Sequence, residues 1–193
     1  AEELINRKLT CLVSGSSNPL LAKNVQLMFS NDEYLRVYTS SDVTGVETGG
    51  AIKNPIAVIS GVATGLGLGE NARAALISRG VREIVMITEI LGGKKETAYG
   101  LSGIGDLIVT ASSMNSRNFK AGLRLGQGET ITEILESSTQ VVEGFRTCVS
   151  AYEIGQENNL DLPLINALYN VLYNGLDVNS AITRLMSREL KAE

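Results

Sequence analysis

Only two segments of this chain have the texture of β-strands, and both lie before residue 40. Leu9-Thr10-Cys11-Leu12-Val13 is short, apolar and partly β-branched, and Ser14-Gly15-Ser16-Ser17 ends it. Tyr34-Leu35-Arg36-Val37-Tyr38-Thr39 is the second. Between them Asn18-Pro19 has the form of a helix start, with Asn as N-cap and Pro in the first turn. That helix carries Leu20, Leu21, Val25, Leu27, Met28 and Phe29. Strand, helix, strand is a βαβ unit, and two strands alone do not make a stable sheet. The elements that should cover this unit are therefore expected to be missing from the chain. Its strand edges are expected to fray or to pair with a second copy.

From Asp42 onward the pattern is helical. Val43, Val46, Ile52, Ile56 and Ile59 fall near a 3.6-residue period, with a kink expected at Pro55. Asn71 to Leu91 reads as a long amphipathic helix closed by Gly92-Gly93. A short helix is expected through Leu107 and Ile108, and another from an N-cap at Ser116 to Gly126. Thr130-Ile131-Thr132-Glu133 has the form of a capping box. Helices over roughly Glu143–Asn158 and Leu164–Tyr173 follow, and Asp177 caps a last one. The expected organisation is a strand–helix–strand unit over 1–40 and a helical domain of about eight helices over 41–193.

Composition narrows the chemistry. The 193 residues include no histidine, which excludes Ser-His and Cys-His catalysis, His-ligated zinc and a histidine switch. Acid–base work must fall to Lys, Asp, Glu, Tyr or Cys. Cys11 and Cys148 are 137 residues apart and fit neither a disulfide framework nor a metal site. A net charge of −4 argues against a general nucleic-acid binder. The longest uncharged run, the 16 residues between Lys53 and Glu70, suits a buried helix better than a membrane span. With no export signal in AEELINRKLT, a cytoplasmic location is expected.

Four places could carry function. Gly67-Leu68-Gly69-Glu70-Asn71-Ala72 matches G-x-G-x-x-A, but helix precedes and follows it where a dinucleotide fingerprint needs a strand. It reads as a helix–helix turn. Lys53 is the only cation between Arg36 and Arg73, and Gly49 and Gly50 stand one turn before it. Those glycines leave room for a ligand or another backbone. Lys53 is then either a proton-exchanging group or a lysine snorkelling from a helix. Asp106 follows three flexible residues at a helix start, where it complements the dipole in any case. Ser116-Arg117-Asn118 opens a helix whose Arg117, Lys120 and Arg124 make a basic stripe, either an anion site or a solvated face.

The segments GVETGGAIKNPIAVISGVATGLGLGENARAALISRG, GLSGIGDLIVTASSMNSRNFKAGLRLGQG, VVEGFRT and LPLINALYNVLYNGLD together resemble the C-terminal half of NAD(P)-dependent glycerol-3-phosphate dehydrogenases of the bacterial and organellar type. The fold this implies is mainly α. It is an all-helical C-terminal domain of the 6-phosphogluconate-dehydrogenase-like type, preceded by a βαβ remnant of a Rossmann-like nucleotide domain. The implied activity is hydride transfer between NAD or NADP and a phosphorylated triose, a reaction that feeds phospholipid synthesis.

The resemblance also implies roles. Lys53 would exchange the proton at the carbonyl or alcohol oxygen, with Asp106 supporting it and Thr110 beside the substrate. Ser116, Arg117 and Asn118 would hold the phosphate and hydroxyls. Arg117, Val141 and Glu143 would lie along the cofactor, and no metal is implied. The Gly-rich fingerprint of that family would precede residue 1, so the chain alone is expected to be inactive and to bind NAD(H) poorly. A homo-oligomer is expected, with no nucleic acid and no membrane span. A related hydroxy-acid reductase domain, a non-enzymatic helical dimerisation module and an excised fragment stay open beside this reading.

Overall fold

Asn31 shows how the first unit is built. Its side-chain oxygen accepts the N–H groups of Glu33, Tyr34 and Leu35 at 3.1, 2.8 and 3.1 Å. That turn holds Tyr34 ahead of the second strand, which runs Leu35–Ser40 (β2) rather than from Tyr34. The computed structural model describes residues 2–138 and 141–189. It opens with a helical turn the sequence did not announce, Glu2–Ile5 (α1). The first strand, Thr10–Gly15 (β1), lies parallel to β2 in a register from Thr10↔Leu35 to Gly15↔Ser40. The helix between them, Pro19–Phe29 (α2), is capped by Asn18, whose side chain accepts from the Leu20 N–H. Only Ala22 of α2 is buried; Leu20, Leu21, Leu27, Met28 and Phe29 are exposed.

Nine helices follow among the described residues. The first, Val43–Gly65 (α3), is capped by Asp42 and runs through Pro55 as one helix, so the expected kink does not interrupt it. Proline removes the donor that the Ala51 carbonyl would have used, but Ala51 is exposed and its carbonyl loses little. A turn at Gly67 (φ +70°) and Gly69 (φ +77°) leads straight into Gly69–Ile90 (α4). The G-x-G-x-x-A string is therefore a helix–helix connection. Gly92 (φ +85°) ends α4, with Gly92 and Gly93 N–H groups bonding back to the Glu89 and Thr88 carbonyls.

The chain then folds through Lys95–Ala98 (α5), a π-helical turn over Leu101–Gly105, and Asp106–Ser112 (α6). Arg117–Gly126 (α7) starts from the Ser116 cap, and Ile131–Ser137 (α8) from the complete Thr130/Glu133 capping box. Glu143–Glu157 (α9), Pro163–Tyr173 (α10) and Val178–Met186 (α11) complete it.

The core is arranged around α3. Ile56, Ala57 and Val58 are fully enclosed, against Ile84 and Ile87 of α4, Leu107 of α6, Cys148 of α9 and Ile165 of α10. The closest seam is α3 on α7. A Cβ at Gly61 would land on the Phe119 carbonyl and one at Gly65 on the Leu123 carbonyl. Reciprocally, Gly122 faces the Val58 carbonyl and Gly126 the Val62 carbonyl. Two glycine pairs at four-residue spacing thus let main chain rest on main chain. This seam sets the start of α7 beside the middle of α3. Among the described residues, no helix is long and apolar enough to cross a membrane.

Candidate functional site

The site grows from the turn before Lys53. Gly49 takes the approach of another backbone: its absent Cβ would lie 2.6 Å from the Ser102 carbonyl, so the π turn packs directly on α3. Gly50 faces open space, with nothing within 4 Å of where its Cβ would stand. One glycine serves packing and the other leaves room. The π turn delivers Asp106 to the first position of α6, and the Lys53 ammonium donates to its carboxylate. The pair is neither sealed nor free, with side chains 19% and 40% exposed. Thr110, one turn on, donates its hydroxyl to the Asp106 carbonyl at 2.7 Å, and its oxygen lies 3.4 Å from the carboxylate. Ser60 of α3 donates to the Ala111 carbonyl at 2.7 Å and fixes α6 against α3.

A second group forms where α7 and α9 begin. Ser116 accepts the Phe119 N–H at 3.2 Å as the cap of α7. The Arg117 guanidinium lies 3.7 Å from the Glu143 carboxylate. Asn118 is buried between three elements. Its amide donates to the Asn54 side-chain oxygen at 2.9 Å, and its own oxygen accepts the Gly144 N–H at 2.9 Å. What Asn118 can offer a substrate is its second amide N–H. Gly144 lacks a side chain where the Asn54 carbonyl passes, 2.8 Å from a Cβ position. Asn54 also reaches Glu143 at 3.4 Å. Asn54, the residue after Lys53, therefore joins Asn118 and Glu143 to α3, and Gly144 is held through Asn118.

Lys53, Asp106 and Thr110 are brought together, as are Arg117, Asn118 and Glu143. Val141 stands exposed at the rim of a cleft of about 380 Å³, with Val142, Phe145, Arg146 and Tyr173. The basic stripe lines an adjoining cleft of about 240 Å³ with Ser137, Ser138 and Val142. Two of its three cations, Arg117 and Arg124, pair with carboxylates. Arg124 grips Glu129 with its fork and bonds Ser137 at 2.8 Å, so it ties α7 to α8. Cys148 is no nucleophile: burial pushes its thiol up to about 12, and the Glu83 carboxylate adds to this.

Asn54 is the residue that sequence reasoning missed. Its signal was present, a lone amide directly after Lys53 at the mouth of an apolar run.

A sequence profile of the family described as NAD-dependent glycerol-3-phosphate dehydrogenase C-terminus matches residues 42–183. The whole chain is 56% identical to 58% of the glycerol-3-phosphate dehydrogenase [NAD(P)+] of Acholeplasma laidlawii. It is 47% identical to 57% of the Ligilactobacillus salivarius protein of that name. The crystal structure of glycerol-3-phosphate dehydrogenase from Coxiella burnetii superposes with a TM-score of 0.91 at 34% identity, over 96% of this chain and 57% of that one. The chain thus spans less than two thirds of the length of these relatives.

Proposed function

This chain belongs to the family of NAD-dependent glycerol-3-phosphate dehydrogenase C-termini, and from that membership we propose that it supplies the acid–base and phosphate-binding half of an enzyme interconverting dihydroxyacetone phosphate and sn-glycerol 3-phosphate. Residues 41–193 are the helical catalytic domain in this reading, and residues 1–40 belong to the nucleotide-binding domain. The observation that carries it is the half-buried Lys53–Asp106 pair beside the open flank at Gly50.

NAD or NADP, when bound, supplies the hydride that reaches C2 of the ketone. The residues of this chain manage the proton and the phosphate. Lys53 gives its proton to the oxygen that gains charge as C2 is reduced, and takes it back in the reverse direction. Asp106 keeps that ammonium aimed, and Thr110 fixes the backbone of Asp106. Ser116 and Arg117 meet the substrate phosphate at the start of α7, where free N–H groups already favour an anion. Binding energy gathered there orients the reacting carbon. Arg117, Glu143 and the exposed Val141 fit one edge of a cofactor, as a cation, an acceptor and an apolar contact grouped at two adjoining clefts. The product is a glycerol phosphate of the kind used for phospholipid synthesis.

The test is Lys53→Ala in the full-length protein that carries this chain. Turnover is expected to fall roughly 10²–10⁴-fold, the usual worth of a positioned acid–base group, with the melting temperature nearly unchanged. Unchanged turnover, or a loss that tracks unfolding, removes Lys53 from the mechanism.

A further inference from the structure

α10 begins without a cap of its own. Leu162 stands at the N-cap with no side-chain oxygen to offer, and Pro163 fills the first helical position. The first N–H groups in need of a partner are those of Leu164 and Ile165. Both donate to one carboxylate, Glu83 of α4, at 2.7 Å to Oε1 and 3.0 Å to Oε2. Glu83 is 2% exposed. An acid from another helix, 81 and 82 residues earlier in the chain, thus does what a local Ser or Asp does elsewhere.

The charged and titratable groups around Glu83 come from three directions. Asp161 lies just before α10 and is bridged by Arg188, whose guanidinium bonds its two oxygens at 2.7 and 2.8 Å. Cys148 of α9 donates weakly to the Ile165 carbonyl at 3.7 Å. Arg79 stands one turn earlier on α4 and is exposed. At its far end, α10 is tied to the proposed site. The Tyr173 hydroxyl donates to the Phe145 carbonyl at 2.9 Å, in the first turn of α9 that carries Glu143 and Gly144.

We propose that Glu83 is a proton-responsive clamp that joins α4 to the start of α10 and governs how firmly α10 supports the first turn of α9. As an anion, Glu83 accepts both N–H groups and faces the positive end of α10. As an acid it is neutral, and the oxygen that gains the proton becomes the weaker acceptor, so one of the two bonds is loosened. Burial pushes Glu83 up to about 7, against the two N–H bonds that lower it; Asp161 adds to the rise and Arg188 opposes it. Both forms therefore exchange in the neutral range.

The sign follows from linkage. The folded carboxyl holds its proton more tightly than the unfolded one, near 4.5. Its contribution to stability is complete below pH 4.5, is lost as pH rises through 7, and is level above.

The experiment is an NMR titration of the full chain from pH 5.5 to 8.5, following the amide protons of Leu164, Ile165 and Phe145. The clamp requires all three to move together with one midpoint near 7. Glu83→Gln keeps an acceptor and the shape, and should flatten all three curves while removing the matching slope from a melting-temperature profile. Flat curves in the unsubstituted chain, or curves unaltered by Glu83→Gln, overturn the proposal. Should Glu83→Gln fail to fold, Arg188→Gln decides. It withdraws the opposing cation and must raise the midpoint; an unmoved midpoint overturns the clamp. Movement of Leu164 and Ile165 without Phe145 overturns the link to α9.

Discussion

The strand–helix–strand unit and the helical body were written with similar apolar content and ended with opposite fates. In the body, α3 buries an unbroken run from Asn54 to Val58 and most of the turn that follows. In the first unit, Leu20, Leu21, Leu27, Met28 and Phe29 face outward and α2 buries one residue. Full burial of a large apolar side chain is worth about 1.5–3 kcal/mol, and that gain is uncollected at these five positions. The teaching is that correct local structure does not require a completed core. Asn18, Asn31 and the parallel register hold the first unit in shape, while its apolar face is exposed.

The contrast is broken most severely at the glycine seam. Gly122→Val would push a branched side chain into the Val58 carbonyl, which is backbone and cannot step aside. A loss of about 3 kcal/mol is expected, at the top of the usual overpacking range. For a chain this size that lowers the melting temperature roughly 6–12 °C. Leu21→Ala in the exposed unit should change stability by no more than about 0.5 kcal/mol. Equal effects measured by calorimetry would erase the distinction between the regions.

A smaller effect is expected on association. The exposed face of α2 and the edges of β1 and β2 should bring copies together, and Leu27→Glu with Met28→Lys should shift sedimentation toward the monomer. An unchanged profile would place any self-association in the helical body instead.

The smallest effect is expected at Asp42, where the first unit gives way to α3. Asp42 accepts from Gly45 and Lys94 at 2.9 and 2.8 Å, tying the start of α3 to the turn after α4. Desolvation raises its carboxyl, but bonds from Thr97, Gly45 and Lys94 outweigh this and hold it below its ordinary 3.8. Its contribution is present above pH 3.8 and lost as pH falls through the lowered folded value. Amide exchange at Gly45 and Lys94 should quicken below about pH 3.8, and Asp42→Asn should remove that dependence. Exchange that is flat with acidification, after allowance for intrinsic rates, would deny the tie.

Much of this was legible because it was local. Asn18, Ser116, Thr130 and Asp177 cap helices through partners two or three residues away. The resemblance placed Lys53 with Asp106 across 53 residues, which spacing alone left undecided. The illegible parts depend on distant chain. Glu83 looks like a surface charge on α4 until Leu164 and Ile165 arrive. Asn54 gains meaning only when α7 and α9 bring Asn118 and Gly144 to it. Pro55 stands inside a helix that continues through it, a continuity the local pattern alone does not reveal.

The glycine seam between α3 and α7 has one more consequence, for how such a protein can change over generations. No side chain separates the two backbones there, so no adjustable spacer sets the gap between the helix bearing Lys53 and the helix opened by Ser116. Gap and register are inherited together, as one fixed gauge. Change is then easier at positions such as Gly50, which faces open space, and the exposed Val141, where atoms can be added without resetting that gauge.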